Sequence, residues 1–180
     1  MEILIILTIL AYMLTTAAYF AYLFLQKNDL QRIGYFILMV GALFHTATII
    51  TGFSKSGHLP VSDLRETLSL AAWAIAVMFL VIQHKYNLKI LGIFAAPLVT
   101  LIMIVVSLLP SAQAEASKIF KNFWLISHVL AIFIGEASFA LAGGVGALYL
   151  IQENAIKTKK HRFFLYFLLS FVVFAITVFD

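Results

Sequence analysis

The chain has 180 residues, 63% of them hydrophobic and 11% charged, with a mean hydropathy of +1.05 and a formal net charge of +4. A soluble domain carries about 25% charged residues, so this composition excludes one. With no cysteine, disulfides, thiolate metal sites and cysteine nucleophiles are excluded as well.

Six apolar segments follow one another, most with close to the ~20 residues that cross a ~30 Å hydrocarbon core as a helix. A lone segment in lipid must satisfy its own backbone hydrogen bonds, which makes helices the expected form. The shorter alternating segments of a membrane β-barrel are absent from the sequence. The expected fold class is therefore all-α: a polytopic membrane protein of about six transmembrane helices, forming a single domain over residues 1–180.

The first segment runs from about Ile3 to Leu25. Met1-Glu2 ahead of it lacks the basic n-region of a secretory signal, so it reads as a retained helix. The second runs from about Ile33 to Phe53 and contains His45. An ionisable group inside a span is costly and turns toward the bundle interior. His45 then either hydrogen-bonds a neighbouring helix or serves as an axial ligand to heme iron, a role suited to neutral imidazole.

The loop Gly57-His58-Leu59-Pro60-Val61-Ser62-Asp63 leads into the third segment, Leu64 to Ile82. Pro60 stops helix propagation, Asp63 is placed to cap the next helix, and Glu66 stands at the capping-box position. Arg65 lies at the membrane surface. It suits a carboxylate such as a heme propionate, or else an ion pair with Glu66 or a phospholipid contact. His58 reads as a solvated loop residue. The fourth segment, Leu88 to Leu109, contains Pro97 and is expected to kink there.

The fifth segment, Phe123 to Ile151, is long, roughly 43 Å at 1.5 Å per residue. Counting ~20 residues back from its end puts His128 at the interface, one turn beyond Trp124, an ordinary interfacial anchor. His45 and His128 differ in expected depth by roughly 16 Å, too much for two ligands of one iron. Glu136 lies well inside the segment and either accepts a hydrogen bond from a neighbouring helix or is protonated. Ala140/Gly144 and Gly143/Ala147 have the small-xxx-small spacing of a helix contact face. The sixth segment runs from Phe163 to Phe179.

Lys and Arg counts give orientation. The loops after the first, third and fifth segments carry eight: Lys27, Arg32, Lys85, Lys89, Lys157, Lys159, Lys160 and Arg162. The opposite side carries four: Lys55, Arg65, Lys118 and Lys121. The richer side is expected to be cytoplasmic, with both termini, His58 and the 110–122 segment extracytoplasmic. This clustering of cations beside spans reads as topology, and no nucleic-acid partner is expected. His84 and His161 fall among cytoplasmic cations and read as interfacial residues. No Walker loop, nucleophile elbow, HExxH or dinucleotide fingerprint is present.

The segment "SGHLPVSDLRETLSLAAWAI" resembles the outer loop and third span of cytochrome c assembly proteins of the CcsA/ResC type. "FWLISHVLAIFIGEASFALAGGVGALYLIQE" resembles that family's histidine-bearing helix, with Trp124 and His128 at the matching spacing, and "GALFHTATII" fits its second span. Together the likeness covers about residues 1–164. The resemblance implies heme handling and delivery to apocytochrome c on the extracytoplasmic side, where heme vinyl groups become thioether-linked to CxxCH cysteines. It implies heme b as cofactor and His128 as ligand to heme iron. Trp124, His45 and Arg65 are the further candidate cofactor-binding residues, and the implied partners are a ResB-type protein and apocytochrome c, alongside membrane lipid. The expected location is a bacterial inner (plasma) membrane.

The chain departs from the family after Phe163-Phe164, where it continues as "LYFLLSFVVFAITVFD". Trp73 and Trp124 are its only tryptophans, so the family's WWD segment is missing, and no histidine follows His161 to match the second heme-flanking ligand. The likeness is thus to the N-terminal part of the family, in a truncated or divergent form. The expected function is that of a heme chaperone or synthase-associated subunit, more than an independent enzyme. The alternatives are a cofactor-free scaffold subunit and a b-type electron-transfer cytochrome, the latter disfavoured by the depth mismatch of His45 and His128.

Overall fold

The computed structural model describes residues 2–57, 59–110 and 122–157. They form five helices: α1 (Glu2–Leu25), α2 (Asn28–Ser56), α3 (Leu64–Tyr86), α4 (Gly92–Leu108) and α5 (Phe123–Lys157). A 3-10 turn, Lys89–Leu91, leads into α4. No strand occurs among the described residues. Each of the five is long and apolar enough to cross a membrane. The protein is an all-α polytopic membrane protein, as expected. The sixth expected span, Phe163 to Phe179, lies outside the described residues, as do His58 and His161.

The helices end where local chemistry supplies a stop. Asp63 caps α3 with Oδ1, which accepts the Glu66 N–H at 2.7 Å, and Glu66 Oε2 reaches back to the Ser62 N–H at 2.9 Å. The reciprocal capping expected from the sequence is therefore present, with Glu66 satisfying the residue before the cap. Gly57 ends α2 in the left-handed region, φ 70°, and its N–H bonds Phe53 O at 2.8 Å. Asn87 ends α3 in the same way, at φ 54°. The helix α4 continues through Pro97.

The chain divides into two compact units, Met1–Leu141 and Ala142–Asp180. In the first, α1 packs on α2 and α4, and α3 packs on α2 and α4. The core holds Tyr12, Tyr19, Leu38, Leu70, Phe79, Val99 and Met103, with Phe133, Ala137 and Leu141 of α5 buried among it. Small residues allow the helices to approach. A Cβ on Gly41 would stand 2.9 Å from the Tyr12 ring, and one on Gly92 would run into the Tyr19 ring. In the second unit, the described residues continue α5 to Lys157. Gly144 is buried, whereas Gly143 and Gly146 meet nothing within 4 Å of a Cβ position.

Candidate functional site

The buried interior of the first unit is polar along one seam. Thr8, Tyr12, Thr15 and Tyr19 recur at spacings of four, three and four residues on α1, and all four are fully buried. That spacing is the inner stripe of a packed helix. Tyr12 Oη lies 3.1 Å from His45 Nδ1, and His45 Nε2 lies 3.0 Å from Ser69 Oγ. The imidazole thus ties α1, α2 and α3 together. In one tautomer Tyr12 donates to Nδ1 and Nε2–H donates to Ser69; in the other both bonds reverse.

Further ties surround this one. Trp73 Nε1 donates to Thr46 Oγ1 at 2.9 Å. Thr16 and Thr100 share a hydroxyl contact at 2.8 Å, and Thr100 Oγ1 also donates to Tyr12 O at 2.9 Å. Nearer the other end of the bundle, Tyr19 Oη donates to Gln83 Oε1 at 2.7 Å. No buried side-chain nitrogen or oxygen among the described residues lacks a partner. In hydrocarbon, where water supplies no alternative, such bonds hold helices in register.

His45 therefore has both ring nitrogens engaged, and an iron-ligand role would require it to give up one of two hydrogen bonds. Tyr12 and Ser69, its partners, escaped the sequence reading. The signal for Tyr12 was the four-three-four polar spacing along α1; Ser69 carried none.

His128 stands in the opposite situation. Asn122 caps α5: its Oδ1 accepts the Trp124 N–H at 3.0 Å, and its carbonyl accepts the Ile126 N–H at 3.0 Å. The helix then buries Phe133, Ala137 and Leu141, so the face carrying Trp124 and His128, one turn apart, points away from the core. Trp124 is 79% exposed and His128 is exposed. The apolar span of α5 is Phe123–Glu153, so His128 lies ten residues, ~15 Å, from its middle, at the edge of a ~30 Å core.

Arg65 is half-buried, two residues past the α3 cap. The Arg65–Glu66 pair weighed from the sequence is not seen among the described residues, where Glu66 Oε2 accepts the Ser62 N–H. The guanidinium makes no ion pair among the described residues. Spans that alternate in direction put the start of α3 and the start of α5 at the same membrane surface, so Arg65, Trp124 and His128 share one side. His45, three residues from the centre of α2, is enclosed elsewhere, and the structure does not bring it together with His128. Among the described residues no group of three or more His, Cys, Asp or Glu is placed to hold a metal ion.

Five helices long and apolar enough to cross a membrane, the first four of them joined by buried polar ties, define an integral membrane protein of the polytopic helical class. Within that class the chain is similar to cytochrome c biogenesis proteins named CcsA and to a protein named HemX. It is 25% identical over 159 residues to the cytochrome c biogenesis protein CcsA of Guillardia theta, covering 86% of this chain and 52% of that protein. It is 29% identical over 122 residues to CcsA of Prochlorococcus marinus strain MIT 9303, covering 66% of this chain and 38% of that protein. It is 29% identical over 157 residues to protein HemX of Brevibacillus brevis, covering 86% of this chain and 57% of that one. The chain thus spans about half the length, or less, of the curated relatives it matches. No family model and no solved structure matches it. The resemblance to CcsA-type proteins read from the residues is borne out by these similarities.

Proposed function

We propose that this chain is a membrane subunit of cytochrome c biogenesis that handles heme at the extracytoplasmic surface and presents it to apocytochrome c. One observation carries the reading. His128 and Trp124, one turn apart, are both exposed at the membrane-surface end of α5, in a chain similar to cytochrome c biogenesis proteins. The residues suit heme b. An accessible imidazole nitrogen can ligate iron, an exposed indole can lie against an apolar macrocycle, and the Arg65 guanidinium, with no ion pair among the described residues, suits a propionate. Heme, when bound, would supply the group that is transferred; the chain's residues bind and orient it. His45, with both nitrogens bonded within the bundle, is proposed to stabilise the fold beneath this surface, with no iron-ligand role.

His128 would hold the heme from this chain, and a ResB-type protein is the proposed source of further contacts to it. The membrane is proposed to be a bacterial inner membrane with the Ser56 and Phe123 ends of the spans outside. The test is heme content of the purified chain and of its complex with a ResB-type protein. Substoichiometric heme is expected alone and more in the complex, with the gain lost in His128→Ala and partly regained with added imidazole. Equal heme in the complex with and without His128 would overturn the assignment and favour the cofactor-free scaffold.

A further inference from the structure

The outward face of α5 carries a second feature, independent of heme. Below His128 this face presents Ile132, Gly135, Glu136 and Phe139; Phe139 is 82% exposed, and a Cβ on Gly135 would meet nothing within 4 Å. The span Phe123–Glu153 has Ser138 at its middle, so Glu136 stands two residues, ~3 Å along the axis, from the membrane centre. Its side chain is exposed, with no hydrogen bond or ion pair among the described residues. An ionisable group at a helix centre is costly to place in hydrocarbon, and such groups pair with one another or face the interior of a bundle. Glu136 faces away from the core that the described residues form.

The complement cannot come from a copy of the same chain. All twelve Lys and Arg residues lie in loops or at the ends of apolar segments, and none is at mid-span. His45 is enclosed and doubly bonded, and His128 lies eight residues, ~12 Å, away in depth. Two copies meeting on this face would instead set carboxyl against carboxyl. We propose that the Glu136 face of α5 docks a transmembrane helix of a different membrane protein, one carrying Lys or Arg at the depth of Glu136. Gly135 lets its backbone approach closely, and Phe139 packs alongside.

The test uses the full chain in phosphatidylcholine vesicles, labelled with a donor fluorophore at Ser107→Cys on the end of α4. Three acceptor-labelled synthetic Leu/Ala helices of about 20 residues carry Lys, Leu or Glu at the centre and are otherwise identical. The Lys helix should associate about tenfold more tightly than the Leu helix, and Glu136→Gln should erase that preference while leaving Leu-helix association unchanged, which also reports that the variant is folded. Gly135→Leu should weaken the Lys helix most. Equal association of the Lys and Leu helices, or a Lys preference that survives Glu136→Gln, would refute the proposal. Preference for the Glu helix would also refute it, since it marks two carboxyls sharing a proton and hence a second copy as occupant. No readout involves heme, so the heme assignment stands or falls separately.

Discussion

Tyr12 on α1 and His45 on α2 are both fully buried, with the phenol oxygen 3.1 Å from Nδ1 across 33 residues of sequence. Removing the hydroxyl leaves a ring nitrogen without a partner in an apolar interior. Tyr12→Phe is expected to lower stability by about 1 kcal/mol, within the range of up to ~1.7 kcal/mol for interhelical hydrogen bonds in membranes. His45→Ala should cost more, because it also empties a packed site and strands Ser69. Equilibrium unfolding in mixed micelles measures both. The double variant should lose less than the sum of the two, and strict additivity would mean that the pair is not coupled.

Gly92 and Gly52 make a paired prediction. Gly92→Ala drives a methyl into the Tyr19 ring, held between α2, α3 and α4 and bonded to Gln83. A loss of roughly 1–3 kcal/mol is expected from overpacking, and Tyr19→Leu in the same chain should recover part of it. Gly52 has nothing within 4 Å, so Gly52→Ala should be neutral or stabilising by up to ~1 kcal/mol through helix propensity. Melting temperature in detergent separates the two.

The α3 cap is testable by itself. Asp63→Ala removes the acceptor of the Glu66 N–H and is expected to cost about 1 kcal/mol. Asp63→Asn should retain most of that stability, because an amide oxygen caps almost as well. Identical losses in the two variants would show that the carboxylate's charge, rather than its capping bond, matters.

Orientation has a clean assay because the chain has no cysteine. Ser56→Cys and Ala114→Cys should react in intact cells with a membrane-impermeant thiol reagent, and Thr158→Cys should react only after lysis. Labelling of Thr158→Cys alone would invert the topology and move His128 to the cytoplasmic face.

The role proposed for Arg65 as an anion contact is testable in the same complex. Arg65→Ala should lower heme retention in the complex with a ResB-type protein by a smaller factor than His128→Ala. Arg65→Lys should recover only part of it, since a planar bidentate donor is lost. Unchanged retention in Arg65→Ala would remove Arg65 from the heme site and leave a phospholipid contact.

The sequence by itself determined the membrane class, the order of the five described spans and the cap before α3. Apolar length forces a helix in lipid because each segment must satisfy its own backbone, and Asp63 and Glu66 act within four residues of one another, so neither needs tertiary information. Span ends were less exact: α2 starts at Asn28, ahead of the apolar run at Ile33, because helical hydrogen bonding continues past the hydrocarbon into the headgroup layer. Which face of each helix turns inward was decided only by the tertiary structure. Leu and Ile serve equally well against lipid and against protein, so hydropathy is blind to the difference, and in these spans polar spacing carried the hint. His45 acquired its partners from Tyr12 on one helix and Ser69 on another. The packing of Phe133, Ala137 and Leu141 into the core in turn rotated Trp124, His128 and Glu136 outward, where a cofactor or another helix can reach them.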